Sequence, residues 1–237
     1  MPKDRYFIDQ DLTKNLNLEI KDKEAHHIKT LRKKESEHVE IINGKGFLAK
    51  AKIEKIDKKS IKIKITDIFF EKEKKQKLIL AQALLKPNKL DFLLEKTVEL
   101  GVDEIWFFKS KNSEKINLSK NRLNRMKSIL IAAIKQSGRL YLPKIKFFES
   151  IKDIKNFDGN IYFGDTKKEA KRFLDIFIKN KKNNYFFIGP EMGFFKDEIF
   201  YLKNDLKALG IKLNNNILRA ETAAISIIAI AAHLQLL

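Results

Sequence analysis

Two short loops hold the residue types that could bind and act on a ligand. The first is Gly189-Pro190-Glu191-Met192-Gly193, between the strand-like run NYFFIG (184–189) and a helix expected to begin near Phe195 or Lys196. Glycine has no Cβ, so the backbone here can approach a ligand closely. The helix that follows would offer it unpaired N–H groups. The same residues also suit an ordinary strand-to-helix turn. The second loop is NNNILRAETA, from Asn214 to Ala223. Arg219, Glu221 and Thr222 crowd the start of a helix that is otherwise apolar. The helix dipole favours a carboxylate at that end, so Glu221 could be purely structural. It does not favour a cation. Arg219 is therefore read as directed at a phosphate, a carboxylate or Glu221.

Composition excludes other chemistries. There is no cysteine among the 237 residues, hence no disulfide and no thiolate nucleophile. The four histidines, His26, His27, His38 and His233, show no HExxH or similar spacing, so no metal site is expected. The formal charge of +18 suggests a polyanionic partner. A chain rich in Lys, Ile, Asn and Phe can also reflect an AT-rich genome, so the distribution of charge matters more than its total. Residues 1–77 hold 21 basic and 14 acidic residues. Residues 109–146 hold eleven basic residues and one acidic residue, Glu114. A phosphate backbone is the natural counterpart of such a tract, because each contacted phosphate releases condensed counterions. The N-terminus, MPKDRYFIDQ, is polar and reads as no signal peptide. The last sixteen residues, TAAISIIAIAAHLQLL, lack Asp, Glu, Lys and Arg. They are shorter than the ~18 apolar residues of a membrane span, and His233 and Gln235 interrupt them. A buried core or interface helix is expected there, in a cytoplasmic protein without a membrane partner.

The elements that would position the loops are legible in the hydrophobic pattern. Residues 38–66 alternate with period two. In SIKIKIT, Ile61, Ile63 and Ile65 face one side and Lys62 and Lys64 the other. Asn43-Gly44-Lys45-Gly46 and Asp57-Lys58-Lys59-Ser60 are turn signals. A small, mostly antiparallel β domain is expected over 1–73, ending at the charged run EKEKKQK (71–77). Over 74–237 the rhythm becomes that of an α/β domain with a mostly parallel sheet. LILAQALL (78–85) reads as a strand buried on both faces. Leu90, Leu93, Leu94 and Val98 recur at helical spacing and stop at Gly101. EIWFF (104–108) is strand-like. Ser119 can cap a helix carrying Leu123, Met126, Leu130, Ala133 and Ile134. NIYFG (160–164) and NYFFIG are further strands with a helix between them, and IKLN (211–214) precedes the Ala-rich closing helix. In open α/β sheets ligands bind beyond the carboxyl ends of strands, where both loops fall.

ILRAETA after GPExGF, with KQSGRxxxP before them, resembles the RsmE family of 16S ribosomal RNA uracil-N3 methyltransferases in the SPOUT superfamily. RYFID (5–9), HHIKTLR (26–32), INGKG (42–46) and KLDFLLEKTVELGVDEI (89–105) agree, in the family's order. The resemblance implies an N-terminal PUA-like β-barrel for RNA and a C-terminal domain tied in a deep trefoil knot that holds S-adenosylmethionine. It implies a homodimer as the active unit. Gly164, Ile188, Gly189, Pro190, Glu191 and Gly193 would then bind the cofactor, together with Leu213, Asn214, Ile217 and Leu218. RNA contacts are expected from Arg5, Arg32, Lys89, Lys120, Arg122, Arg125 and Arg139. Arg219 would hold the substrate or stabilise a uracil anion, and Glu221 would orient it or act as a weak base. The chain departs from the family's pattern in several places. Met192 stands for a second glycine, Phe195 for a serine helix cap, and Asn112 for an arginine. Asn214-Asn215-Asn216 replaces a Gly, variable, Arg triplet. Asparagine can take the left-handed conformation that glycine would supply, so Asn214 is compatible with the family's pattern. Two other readings stay open on chemistry alone. One is a non-catalytic RNA-binding protein on a degenerate scaffold, and the other a SPOUT enzyme acting on a ribose 2′-hydroxyl.

Overall fold

The structure, a computed structural model, describes residues 4–113 and 118–236. Glu114 and Lys115 of the basic tract lie outside the described residues. The chain divides into two compact units, Met1–Glu73 with Ile131–Leu142, and Lys74–Leu130 with Pro143–Leu237. Residues 131–142 thus group with the first unit, whereas the sequence pattern assigned them to the second.

The first unit is built on a five-stranded sheet of β1 (Arg5–Phe7), β2 (Asn17–Ile20), β3 (His38–Ile42), β4 (Phe47–Ile56) and β5 (Ile61–Phe70). The order is β1-β3-β4-β5-β2, antiparallel except for β1 on β3. The period-two pattern does what it implied. Ile61, Ile63 and Ile65 are fully buried, while Lys62 and Lys64 are exposed. Helix α1 (Asp22–Thr30) adds Ala25 and Ile28 to the same core. Gly44 and Gly46 of the INGKG turn both have positive φ, +72° and +90°. Segment 140–142 packs directly on them. A Cβ on Gly44 would lie 2.9 Å from the Cβ of Leu142, and one on Gly46 would run into the Tyr141 hydroxyl. The Gly46 N–H donates to Leu140 O at 3.0 Å, and Tyr141 Oη donates to Glu71 O at 2.7 Å.

The second unit holds a seven-stranded, wholly parallel sheet. Its strands are β6 (Leu78–Ala83), β7 (Glu104–Phe108), β8 (Lys144–Phe148), β9 (Gly159–Gly164), β10 (Lys171–Arg172), β11 (Asn183–Ile188) and β12 (Leu209–Lys212). The order is β10-β12-β9-β11-β6-β7-β8. Every residue of β6 and β7 is buried, as continuous apolar runs require. Edge strand β8 has a weak pattern, because Lys144, Lys146 and Phe147 are all exposed. The helices are α2 (Pro87–Glu99), α3 (Lys120–Ser137), α4 (Phe173–Ile176), α5 (Lys196–Phe200) and α6 (Ala220–Leu234). Ser119 caps α3 as expected, its Oγ accepting from Arg122 N at 3.3 Å. Two expectations need correcting. The helix foreseen between β9 and β11 is the single turn α4. The last strand begins at Leu209 and ends at Lys212, which leaves Leu213 and Asn214 in the loop. No helix among the described residues is long and apolar enough to cross a membrane.

Gly46→Ala should lower stability by about 2–3 kcal/mol, through a left-handed backbone and a clash with Tyr141. Gly101→Ala is the control, because φ there is +103° but a Cβ would meet nothing within 4 Å. Thermal unfolding should show a clearly larger drop for the first variant than for the second.

Candidate functional site

The sheet brings three carboxyl ends side by side. Strand β11 lies between β6 and β9, pairing Ile188 with Gln82 and Phe187 with Phe163. On the far side of β9, Gly164 pairs with Ile211 of β12. The loops after Gly164, Ile188 and Lys212 therefore leave the sheet together, at the place where strand order doubles back. A Cβ on Gly164 would meet only Ile188, at 3.4 Å, so the glycine leaves open space beside that side chain.

The loop after β11 is tightly folded. Gly193 N–H donates to Pro190 O at 2.9 Å, and Gly193 has φ +76°. A Cβ on Gly189 would sit 3.1 Å from the Phe194 ring. Pro190 is buried, Glu191 is exposed, and Met192 is 81% exposed. The loop before α6 is held by a side-chain hydrogen bond. Asn214 does not adopt a left-handed conformation. Its side chain instead accepts from Asn216 N at 2.9 Å, closing an Asx turn. Leu213 and Leu218 are half-buried, and Ile217 is 84% exposed.

Charged residues from three elements meet here. Glu221, in the first turn of α6, is buried, while Arg219 is the exposed residue that precedes the helix. Arg219 makes no ion pair with Glu221; the partner of Glu221 is Lys89 of α2. Lys89 Nζ lies 2.7 Å from Glu191 Oε1 and 3.8 Å from Glu221 Oε1. Its hydrogen bond to Glu191 raises the Lys89 pKa above the ordinary value. The same bond, helped by the charges of Lys86 and Arg219, holds the Glu191 carboxyl below the usual range. The second carboxylate oxygen of Glu221 is buried with no hydrogen-bond partner among the described residues. Glycines that bare the backbone and a buried acceptor left unpaired suit a polar ligand at these loops.

The predicted RNA residues divide by environment. Arg5 spends its guanidinium on Glu40 at 2.7 and 2.9 Å and is largely buried. Arg122 is pinned between α3 and α2, with Nη2 2.9 Å from Pro87 O and 2.8 Å from Asp91. Lys89 is held by the two carboxylates. These three have internal partners. Arg32 and Lys120 are exposed. Arg125 pairs with Asp91 at 2.6 Å but leaves two thirds of its side chain accessible. Arg139 is half-buried in the segment that joins the first unit. Among the described residues no group of three or more His, Cys, Asp or Glu could hold a metal ion.

Two supporting residues were not singled out from the pattern. Glu198 of α5 is buried, and its Oε2 accepts from Phe195 N at 2.7 Å and Ser110 Oγ at 2.9 Å. It ties the loop after β7 to the loop after β11 and holds the N–H of Phe195, the residue that precedes α5. Asn112 Nδ2 reaches Gly193 O at 3.4 Å along the same seam. Glutamate three residues after the loop's end is half of a capping box, a signal that could have been read. Gln82, buried beneath the start of the loop, carried a plainer signal as the lone amide in an apolar strand. Glu198→Ala should cost about 1–3 kcal/mol by leaving the buried Ser110 hydroxyl without an acceptor and freeing the Phe195 N–H, measured as a lower urea midpoint with unchanged slope.

Comparison with known proteins agrees with this architecture. The family profile described as RNA methyltransferase domain matches residues 72–232, and that of the RNA methyltransferase PUA domain matches 20–66. The chain is 34% identical to ribosomal RNA small subunit methyltransferase E of Buchnera aphidicola from Acyrthosiphon pisum, over 96% of its length and 91% of the relative's. It is 31% identical to the protein of that name from Rickettsia conorii, over 97% and 95% of the two chains. Among solved structures, the fold matches ribosomal RNA small subunit methyltransferase E from Neisseria gonorrhoeae bound to S-adenosyl methionine. The TM-score is 0.88 at 24% identity, covering 99% and 98% of the chains. The sequence spacing, the parallel sheet with its three convergent loops and the full-length similarity agree on one conclusion: this chain belongs to the RsmE family of ribosomal RNA small subunit methyltransferases.

Proposed function

We propose that the chain transfers a methyl group from S-adenosylmethionine to N3 of one uridine in 16S ribosomal RNA, acting on the small ribosomal subunit as a homodimer. The observation that carries this reading is the meeting of Gly164, loop 189–193 and loop 213–218 at one end of the sheet, in a chain similar along its length to small subunit methyltransferases. Loops 189–193 and 213–218, with Gly164 and Ile188, would hold the cofactor, which supplies an electrophilic methyl on a sulfonium. The chain's own residues must align uracil N3 with that methyl and take up the N3 proton. Alignment is worth roughly 7–11 kcal/mol in favourable cases, and a positioned base adds ~10²–10⁴-fold. Arg219, exposed and without an ion pair among the described residues, would hold the uracil and offset its negative charge. Glu221 offers a buried, unpaired oxygen for the N3 proton, with Lys89 holding the other. The target base must leave its stack, and in the second unit exposed Lys120 and Arg125 would contact RNA phosphates.

The reaction has a direct readout. N3-methylation removes the donor that Watson–Crick pairing needs, so reverse transcriptase should stop at the product. Incubation with S-adenosylmethionine and unmethylated small subunits should give one new stop in the 16S RNA. Arg219→Ala should abolish it while the fold persists. Glu221→Gln should slow it more than it weakens cofactor binding. A methylated product without a stop would indicate the ribose 2′-hydroxyl instead. RNA binding without cofactor binding would indicate the non-catalytic alternative.

We also infer that α6 lies within a trefoil knot and at a dimer interface. Ala224, Ile227, Ile228 and Ala231 are fully buried, yet Ile225, Ala229, Ile230 and Ala232 on the rest of the helix are apolar and half-buried. An apolar helix with a second, partly exposed face suits a symmetric partner. Ile230→Asp should convert the dimer to monomer in analytical ultracentrifugation, and a stable dimer would refute the interface. Ile228→Asp is a poorer probe, since that side chain is already in the core.

A further inference from the structure

Strand β6 is buried on both faces, and its one polar side chain is Gln82, with no exposed surface. A buried amide costs stability unless its polar atoms are paired. One end of this amide is heavily used. Nε2 lies 3.0 Å from Ala83 O, 3.3 Å from Gly189 O and 3.4 Å from Ile188 O. Three carbonyl oxygens around one atom require the donor nitrogen there, which settles the amide's orientation. The other end, Oε1, is buried with no partner among the described residues. Leucine or methionine would remove the stranded oxygen together with the donor to these carbonyls, so what glutamine adds at this position is its hold on them.

What the amide does is local to the loop. The β11 ladder ends at Ile188. The next residue, Gly189, has no side chain to restrict its backbone, and Pro190 after it has no N–H to donate. The Gly189–Pro190 peptide therefore leaves the sheet at a point where backbone pairing stops. The Gln82 side chain supplies a donor from the neighbouring strand, one step beyond the last ladder pair, Ile188 with Gln82.

We propose that Gln82 is a positioning residue for the methyl-transfer reaction, fixing the Gly189–Pro190 peptide so that loop 189–193 is preformed to receive the cofactor. This rests on the reading of that loop as a cofactor site. With the clamp removed, the loop must be ordered by the ligand, and that ordering is subtracted from the binding free energy.

The test separates positioning from support of the fold. Gln82→Leu and Gln82→Met are titrated with S-adenosylmethionine by calorimetry beside the unaltered protein, and their thermal midpoints are measured without ligand. Both variants should unfold within a few degrees of the original midpoint, because the stranded oxygen goes together with the donor to the three carbonyls. Both should bind S-adenosylmethionine about ten-fold more weakly or worse, a loss of about 1.4 kcal/mol. In turnover, KM for the cofactor should rise while affinity for 16S RNA stays unchanged. Unchanged cofactor affinity in the methionine variant would overturn the proposal. So would an affinity loss accompanied by a matching fall in midpoint in both variants, which would mark Gln82 as structural. If the unaltered protein binds no S-adenosylmethionine, the cofactor reading of the loop fails, and this inference fails with it.

Discussion

The site depends on a single packing constraint: β11 fills the slot between β6 and β9. A strand with neighbours on both edges and apolar cover on both faces has every backbone group committed. Its register with β6 runs from Asn184 opposite Leu78 to Ile188 opposite Gln82, so the point where the chain leaves the sheet is set to one residue. Aromatic packing reinforces it. Phe186 stacks on Tyr162, and Phe187 packs against Phe108 and Phe157. Beyond the loop, Phe194 stacks on Phe108 and meets Phe163 edge-on. Loop 189–193 is thus anchored at both ends by rings that belong to the core. Its glycines supply the tight path between those anchors.

Charge at the same end of the sheet is organised around one lysine. The start of α6 is electropositive, and a buried carboxylate there gains from the dipole. Glu221 takes that place, and Lys89 approaches it from α2 while binding Glu191 of the neighbouring loop. One cation so links two loops from distant parts of the chain. Arg219 sits at the same helix end, against the dipole, within electrostatic reach of Glu191 but in contact with no carboxylate among the described residues.

The basic tract between β7 and β8 is less uniform than its charge implies. Lys111 is bound to Asp197 and lies over the Phe195 ring, Lys146 is bound to Glu104 and lies over Trp106, and Arg122 is locked to Asp91. Lys135 is held by both oxygens of Glu24 within the first unit. Several positive charges therefore serve as packing cations over aromatic rings and carboxylates. The residue-by-residue distribution, rather than the sum of +10, decides which remain available to phosphate.

Much of this protein was legible in the sequence because it follows from local periodicity. Alternating Ile and Lys specify a half-buried strand, LILAQALL and EIWFF specify buried ones, and Ser119 marks the helix start. The motifs GPExG and ILRAET located the two loops for the same reason, since turn chemistry and helix-end charge are short-range properties. What the tertiary structure alone decided are relations between residues far apart in the chain. Lys89 reads as an RNA contact, and its pairing with Glu191 and Glu221 appears only when α2, loop 189–193 and α6 converge. Gln82 reads as a blemish in an apolar strand until β11 places Gly189 O beside it. Arg122 reads as an RNA contact, and its pairing with Asp91 of another helix appears only in the structure. Segment 131–142 continues a helix of the second unit, yet joins the first because Gly44 and Gly46 leave room for Leu142 and Tyr141. No local pattern encodes these pairings. They arise from which strand fills which slot, and that is settled by the cost of leaving backbone and side-chain groups unpaired in a buried sheet.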